Sequence, residues 1–339
     1  MRKTEIQFTA CSREIEIETF LETWNNSSDS LAVKTSGSTG KSNSILLSKN
    51  KMVLSAKKTL EFFKLQKGSS ALLCLSLDTI AGKMMLVRSL IGQLKLHVGA
   101  ISLNPIKELK KPIDFVALVP LQLEAALDTT PEKLKTIRTI LVGGAPVSEK
   151  LIQKLRQNKL SVYQSYGMTE TISHVAIRKI GLETELYYTA LEGITFSTVK
   201  QRLVIHYPEI LDQKLITNDC VELKDATHFK YIGRYDFIIN SGGVKINPEE
   251  LEQKISGLFD EPFFIWFLPD QHLGQKIVLI VESTKKFNFK KETFSPLLSK
   301  FEIPKFYAII SNFTWTKSAK INRKKTMESI KYDHWIEIE

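Results

Sequence analysis

The sequence predicts an α/β protein with a large N-terminal domain, built on a parallel sheet flanked by helices, and a smaller α+β C-terminal domain. Two observations lead to this class. Short continuous apolar runs alternate with helical patterns in the first half of the chain, and period-two segments follow them between residues 187 and 232. The length of 339 residues also favours two domains, because single hydrophobic cores stop growing at about 250–300 residues.

The parallel sheet is predicted from four apolar runs at residues 71–75, 115–119, 139–142 and 161–163. A helix is predicted before the first run, where one apolar stripe is formed by Met52, Val53, Ala56, Leu60 and Phe63, with Lys57, Lys58 and Lys64 outside it. Continuous apolar strands separated by helices are typical of a parallel sheet that is covered on both faces.

Antiparallel strands are predicted at residues 202–206, 214–223 and 228–233, which we expect to form a small barrel-like region of the large domain. A compact unit follows Asp236. In it Pro248 opens a helix, strands are predicted at 262–270, 276–282 and 306–311, and a further helix is predicted near 290–300.

Composition excludes several classes of protein. No run approaches the roughly 18 apolar residues that span a bilayer, and the first residues lack the apolar core of a signal peptide. Cys11, Cys74 and Cys220 lie far apart without metal-like spacing, so we expect a reduced, cytoplasmic protein with no membrane insertion. The net charge of +10 favours anionic partners but does not by itself choose among nucleic acid, membrane surface and nucleotides.

A loop rich in glycine and hydroxyl residues runs from Thr35 to Lys41. Glycines let backbone N–H groups converge on phosphate oxygens, and hydroxyls add donors. The end of the loop imitates a Walker A motif, but that motif needs glycine where Thr35 stands. Taken alone, the stretch is equally compatible with a flexible Ser/Gly linker.

Six segments in order carry a resemblance to one superfamily: residues 35–41, 143–146, 166–171, 217–219, 233–249 and 317–323. They read TSGSTGK, GGAP, YGMTET, TND, GRYD followed by SGGVKINPE, and KSAKINR. Together they resemble the adenylate-forming superfamily, which contains acyl-CoA synthetases, the adenylation domains of peptide synthetases and firefly luciferase. The resemblance covers nearly the whole chain and implies activation of a carboxylate with ATP.

The resemblance also implies a nucleotide site. ATP or AMP would be bound by Thr35, Ser36, Gly37, Ser38, Thr39, Gly40, Gly143, Gly144, Ala145, Tyr166, Gly167, Met168, Asp219 and Arg234. In this assignment Tyr166 lies near adenine and Asp219 accepts the ribose hydroxyls. Glu170 is the expected Mg²⁺ ligand, since carboxylate oxygen suits that ion, and Thr169 would reach the phosphate.

Lys320 occupies the position of the superfamily's catalytic lysine. A fixed ammonium there would stabilise charge that grows on the α-phosphate in the transition state. The resemblance further implies residues 1–232 as a large AMP-binding domain, 233–236 as a hinge that contains Asp236, and 237–339 as a small mobile domain. Rotation of that domain would bring Gly242 and Gly243 beside the pantetheine arm of CoA.

Two features depart from the superfamily pattern. Asn43 stands where the phosphate loop usually has lysine, and Lys41 is the nearest candidate to replace it. Ala319 replaces a glycine beside Lys320. The superfamily normally carries a longer segment before the phosphate loop than the 34 residues found here, so we expect a large domain that is shortened at its N-terminus.

Residues 80–88 and 169–178 look like those of short bacterial o-succinylbenzoate–CoA ligases of menaquinone biosynthesis. The second carboxylate of that substrate needs a cation or donors, for which Lys83, Arg88, Ser173 and His174 are candidates. Helical positions 83 and 88 differ by about 140°, so we expect only one to face the pocket. We favour Lys83 and expect Arg88 at the surface or a subunit interface; His174 is equally compatible with a hydrogen-bonded wall residue.

Three functions remain open at this point: a two-step acid–CoA ligase, a stand-alone enzyme that loads an acyl or aminoacyl group onto a carrier protein, and a catalytically silent relative. An amino-acid substrate would need an acidic partner, for which Asp78 is a candidate. The first function is favoured, with ATP, Mg²⁺, CoA and an aromatic carboxylate as ligands. Nucleic acid is not needed to explain the charge, and a homodimer is compatible with the resemblance.

Overall fold

A computed structural model of the chain describes residues 4–8, 13–34, 44–315 and 321–339. These residues form a twelve-stranded sheet, a second sheet of six strands and a two-stranded ribbon. The large sheet ends at Arg234 in the sequence, and the second sheet begins at Ile239. No helix among the described residues has the length and apolar character needed to cross a bilayer.

Strands and helices alternate through the first half of the chain. They are β1 (Ile6–Phe8), α1 (Glu14–Asn25), β2 (Ser30–Lys34), β3 (Ser44–Ser48), α2 (Lys49–Phe62), β4 (Ser70–Leu73), α3 (Ile80–Gly92), β5 (Lys95–Val98), β6 (Ile113–Leu118), α4 (Pro120–Thr129), α5 (Pro131–Lys135), β7 (Ile137–Val142), α6 (Glu149–Gln157) and β8 (Ser161–Gly167). Each of the four predicted parallel strands is present, as β4, β6, β7 and β8. The predicted apolar stripe lies on α2, which the Ser48 side chain caps.

Six further strands complete the large sheet: β9 (His174–Gly181), β10 (Tyr188–Ala190), β11 (Thr195–Val199), β12 (Arg202–His206), β13 (Leu215–Asp225) and β14 (His228–Arg234). The strand order is β1-β5-β4-β6-β7-β8-β9-β10-β14-β13-β12-β11. Pairing is parallel from β1 to β8 and antiparallel from β8 onward. The antiparallel strands are therefore continuous with the parallel ones through the pairing of β8 with β9.

The second sheet and its helices comprise β15 (Ile239–Ser241), β16 (Val244–Ile246), α7 (Pro248–Ile255), β17 (Phe263–Asp270), β18 (Gly274–Glu282), α8 (Lys291–Phe294), β19 (Phe306–Ile310), α9 (Arg323–Glu328) and β20 (Ile336–Glu337). The helix predicted at 290–300 is shorter than expected, because Pro296 lacks an N–H and disfavours helical backbone at the residue before it. Buried residues such as Leu279 and Phe294 form a core separate from that of the large sheet.

The large sheet is covered by helices and the smaller sheet has its own core, so the predicted α/β class is confirmed. The parallel strands read as unbroken apolar runs because both faces are buried; in β6, for instance, Phe115 and Val116 are both fully buried.

Candidate functional site

The candidate nucleotide site lies where β7 and β8 end, at the carboxyl edge of the parallel strands. Ligands of open α/β sheets bind at this edge. Gly143 and Gly144 follow β7, and Gly144 has a left-handed backbone with φ of 82°. A Cβ on Gly143 would lie 2.2 Å from the Ser165 Oγ of β8, so a larger residue here would require the Ser165 hydroxyl to move. Gly143 and Gly144 therefore present backbone atoms without side chains at this edge of the sheet, next to Ala145.

A tight turn after β8 presents Thr169 and Glu170. Gly167 is the first residue of this turn and lies against the backbone of β9, since a Cβ there would lie 2.4 Å from the His174 Cα atom. The Thr171 hydroxyl closes it through bonds to the N–H and carbonyl of Met168, at 3.1 and 3.0 Å.

Ile172, the residue that follows, adopts a φ of 67°, which is unusual for a β-branched residue. Such strain persists where the surrounding structure fixes the backbone, and it clusters at functional sites. The turn leaves Thr169 half-buried and Glu170 exposed, so the Glu170 carboxylate is available to a ligand.

Tyr166 and Asp219 meet in the buried part of the candidate nucleotide site. The Tyr166 hydroxyl donates a 2.5 Å hydrogen bond to Asp219 Oδ2, and Arg234 Nη1 lies 3.4 Å from Asp219 Oδ1. Burial, and then the charge of Asp219, raise the pKa of Tyr166 well above its usual value. This phenol is therefore a fixed neutral donor, and it leaves the Asp219 Oδ1 atom to other partners.

Arg234 connects this carboxylate to the predicted hinge residue. Its Nε and Nη2 atoms each lie 2.9 Å from an oxygen of Asp236, which gives a bidentate ion pair. The hydrogen bonds to Asp236 raise the pKa of Arg234. Asp219 and Asp236, predicted separately from the sequence, are thus joined through one guanidinium.

The expectation that Arg88 lies at the surface is wrong: its exposed fraction is 2%. Arg88 is on α3, whose residues face the core because α3 packs between α2 and the sheet. Its Nη2 donates to the Ser173 hydroxyl, and its Nε has no hydrogen-bond partner. No carboxylate of the described residues forms an ion pair with it, and burial lowers its pKa to about 10.

Ser173 and His174 extend this cluster, and their assignment to the acyl substrate stays a prediction. The Ser173 Oγ lies 3.2 Å from His174 Nδ1, and His174 Nε2 lies 3.2 Å from the Thr59 hydroxyl of α2. Burial, and then the charge of Arg88, lower the pKa of His174 well below its usual value. The imidazole is therefore neutral and is held at both nitrogens. Thr59 was not singled out from the sequence.

Lys83 lies on another side of α3. Its ammonium donates to the Leu77 carbonyl and lies 5.9 Å from the centre of the Phe20 ring of α1. Gly82 allows α3 to lie close to the loop that precedes it, since a Cβ there would lie 2.1 Å from the Ser76 carbonyl oxygen. Lys83 is thus directed to the loop before α3, and its assignment to the acyl substrate stays a prediction.

Gly242 and Gly243 form the two-residue turn between β15 and β16. Their φ values of 58° and 83° are typical of a type I′ hairpin turn, which requires positive φ at both positions. The turn accounts for both glycines, and their contact with CoA stays a prediction.

A hydrogen bond joins the two sheet regions: the Tyr231 hydroxyl of β14 donates to Glu249 of α7 at 2.9 Å. Within the second region Arg323, at the start of α9, pairs with Glu252 of α7 at 2.8 Å and lies over the Phe237 ring. Glu249 and Arg323 end two of the motif segments. Tyr231 and Glu252 lie outside every motif, because each acquires its partner only through the tertiary fold.

Several predicted residues lie outside the described part of the chain. They are Thr35, Ser36, Gly37, Ser38, Thr39, Gly40, Lys41 and Asn43 of the phosphate loop, with Lys317, Ala319 and Lys320 before α9. Cys11 also lies outside it. Their assignments stay predictions from the sequence.

Mg²⁺ can be accommodated here only with help from a ligand. The described residues contain no group of three or more Asp, Glu, His or Cys side chains that could hold a metal. Mg²⁺ typically keeps several waters and binds one or two carboxylates together with substrate phosphates. The exposed Glu170 fits that single-carboxylate role.

Comparisons with known proteins identify the family. The AMP-binding enzyme family matches residues 17–204. A 2-succinylbenzoate–CoA ligase of Listeria monocytogenes serotype 4b (strain F2365) is 26% identical, over 94% of this chain and 74% of that protein.

Solved structures are similar as well. An acyl-CoA synthetase (AMP-forming)/AMP-acid ligase II-like protein from Dyadobacter fermentans DSM 18053 has 34% identity and a TM-score of 0.63, over 94% of this chain and 95% of that one. The O-succinylbenzoate coenzyme A synthetase (MenE) of Bacillus subtilis, in complex with ATP and magnesium ion, has 20% identity and a TM-score of 0.75, over 87% of this chain and 69% of that one. The match of more than half of the chain confirms the resemblance: the chain belongs to the AMP-binding enzyme family.

Proposed function

We propose that this enzyme activates o-succinylbenzoate with ATP to an acyl-adenylate and then transfers the acyl group to CoA. Family membership supports ATP-dependent, AMP-forming ligase chemistry. The choice of acid depends on one observation above all: a buried arginine, Arg88, without a carboxylate partner among the described residues.

A buried guanidinium is costly unless an anion compensates it. Here the described neighbours of Arg88 are neutral: the Ser173 hydroxyl touches it, and the neutral His174 follows. An acid with a second carboxylate, one that does not react with ATP, would supply the missing negative charge. In o-succinylbenzoate the ring and the ketone would lie between the two carboxylates, so one can bind while the other reacts.

The same argument counts against an aminoacyl substrate. An ammonium group beside Arg88 would add a second buried positive charge, and Asp78, the candidate acidic partner, is exposed.

The substrate carboxylate that reacts would attack the α-phosphate of ATP, forming the P–O bond as pyrophosphate leaves. The CoA thiolate would then attack the acyl carbon and release AMP.

The residues of this chain would hold ATP at the carboxyl edge of the large sheet. Gly143, Gly144 and Ala145 would line the adenine pocket. Asp219 would accept hydrogen bonds from the ribose hydroxyls through Oδ1, the oxygen that Tyr166 does not contact. Glu170 would hold Mg²⁺, which supplies charge neutralisation of the phosphates when bound. Lys320 would stabilise the charge on the α-phosphate, as its sequence position implies.

The test is pyrophosphate release by the purified protein with ATP, Mg²⁺ and a panel of acids. The panel holds o-succinylbenzoate, the two analogues that each lack one of its carboxylates, benzoate, malonate and several amino acids. We expect release with o-succinylbenzoate and at least tenfold less with the analogue that keeps the reacting carboxylate and lacks the other. Turnover of another acid together with no release from o-succinylbenzoate would overturn the substrate assignment.

A further inference from the structure

A cavity of about 280 Å³ lies beside Glu170, between β3 and the turn that follows β8. Its polar lining is Ser48, Lys51 and Glu170, and Ile45, Ile172 and Ile210 contribute apolar walls. At about 30 Å³ per water, the volume holds roughly nine waters, which is enough for a small hydrated anion. The cavity therefore joins the exposed carboxylate of the candidate site to a lysine that no motif assigns.

Lys51 is the only cation among the described residues that line this cavity. Its ammonium pairs with Asp212 at 3.0 Å, while the side chains are 34% and 94% exposed, respectively. An ion pair with so exposed a carboxylate is screened by water and contributes little. Lys51 can therefore exchange this partner for a more highly charged anion inside the cavity.

Glu170 and Lys51 together restrict the kind of ligand. A simple anion would be repelled by Glu170, and a bare cation would be repelled by Lys51. A diphosphate that carries Mg²⁺ satisfies both, because the metal binds carboxylate and phosphate oxygens while the ammonium binds the remaining phosphate charge.

We propose that Lys51 binds the pyrophosphate end of ATP, together with Mg²⁺ on Glu170, and supplies the cation that Asn43 cannot. The role of Lys51 in the reaction rests on the proposed function, whereas its binding of pyrophosphate in this cavity does not. Lys51 lies on α2, which follows β3 directly, so the lysine is carried by a helix of the large domain.

The test is calorimetric titration of inorganic pyrophosphate, with Mg²⁺ present, into the whole protein and its variants. Lys51→Ala is expected to weaken binding about tenfold, since one charge-assisted hydrogen bond is lost. Lys51→Arg should bind within about threefold of the parent. Lys49→Ala is the matched control, because it removes the same charge from the same helix. The Lys49 ammonium donates to Asn26, outside the cavity.

A second variant tests the proposal in the opposite direction, because it should strengthen pyrophosphate binding. Asp212→Asn removes the carboxylate that competes for Lys51, so pyrophosphate should bind up to about fivefold more tightly. Equal affinities for Lys51→Ala and Lys49→Ala would overturn the proposal, as would a loss confined to Lys41→Ala.

This outcome is separable from that of the proposed function. Failure of every acid in the panel, with the Lys51→Ala loss of pyrophosphate binding intact, would refute the ligase assignment and leave the diphosphate site. Normal turnover of o-succinylbenzoate by Lys51→Ala, with an unchanged KM for ATP, would refute the role of Lys51 and leave the ligase.

Discussion

Replacing Arg88 with methionine is expected to stabilise the free protein while weakening its binding of an anionic acid. Burial lowers the pKa of Arg88 to about 10, from a usual value above 12, which corresponds to a penalty of about 3 kcal/mol on the charged side chain. Loss of the hydrogen bond from the charged guanidinium to Ser173 costs about 1.5–3 kcal/mol. Methionine retains most of the apolar stem, so a small net gain of up to about 1.5 kcal/mol in unfolding free energy is expected.

The acid, in contrast, loses its charged partner. A hydrogen bond between charged groups contributes about 1.5–3 kcal/mol, so the KM for o-succinylbenzoate should rise about 10- to 100-fold while the KM for ATP changes little. Urea unfolding and steady-state kinetics measure the two effects. Lys57→Met is the matched control, because it removes a lysine from the exposed side of α2, the helix that packs on α3. Strong destabilisation by Arg88→Met with an unchanged KM for the acid would refute this reasoning.

Three further predictions concern the rest of the site. His174 is neutral in the folded protein while the unfolded chain takes up a proton below about pH 6.5, so stability should be lost as pH falls, by up to about 2 kcal/mol between pH 7 and 5; His174→Asn should lack this loss in urea titrations. Gly167→Ala should abolish nucleotide binding in a fluorescent-ATP titration because its Cβ meets backbone, whereas Gly257→Ala, with nothing within 4 Å, should bind normally. Tyr231→Phe removes a donor from the half-buried Glu249 and should lower the unfolding free energy by about 0.5–1.5 kcal/mol; an unchanged denaturation midpoint would contradict the contact between the two sheet regions.

Local pattern was sufficient for much of the fold. Residues 115–118 of β6 and 140–142 of β7 are continuous apolar runs because they are buried on both faces, whereas β12, predicted from a period-two pattern, has its three central residues buried. The continuity of the parallel and antiparallel strands was not predictable in this way. It depends on the pairing of β8 with β9, which is a contact between segments and leaves no periodic signal.

Residues of the candidate site were likewise predicted where motifs mark them and missed where their burial depends on the tertiary fold. Gly143 and Gly167 were predicted from motifs, and the close approach of backbone atoms to Gly167 explains why its motif requires glycine. The burial of Arg88 was missed, since a charged residue on a helix is usually exposed and only the packing of α3 beneath α2 removes it from water. The prediction of an ATP-dependent, AMP-forming ligase is confirmed by the family match.

The proposed function requires that this site join o-succinylbenzoate to AMP and then to CoA. Mass spectrometry of a single-turnover reaction tests this requirement, with enzyme in excess over ATP and CoA added only after the first sample. We expect o-succinylbenzoyl-adenylate before CoA is added, followed by its conversion to the CoA thioester with release of AMP. An adenylate that forms only with other acids, or ADP as the nucleotide product, would contradict it.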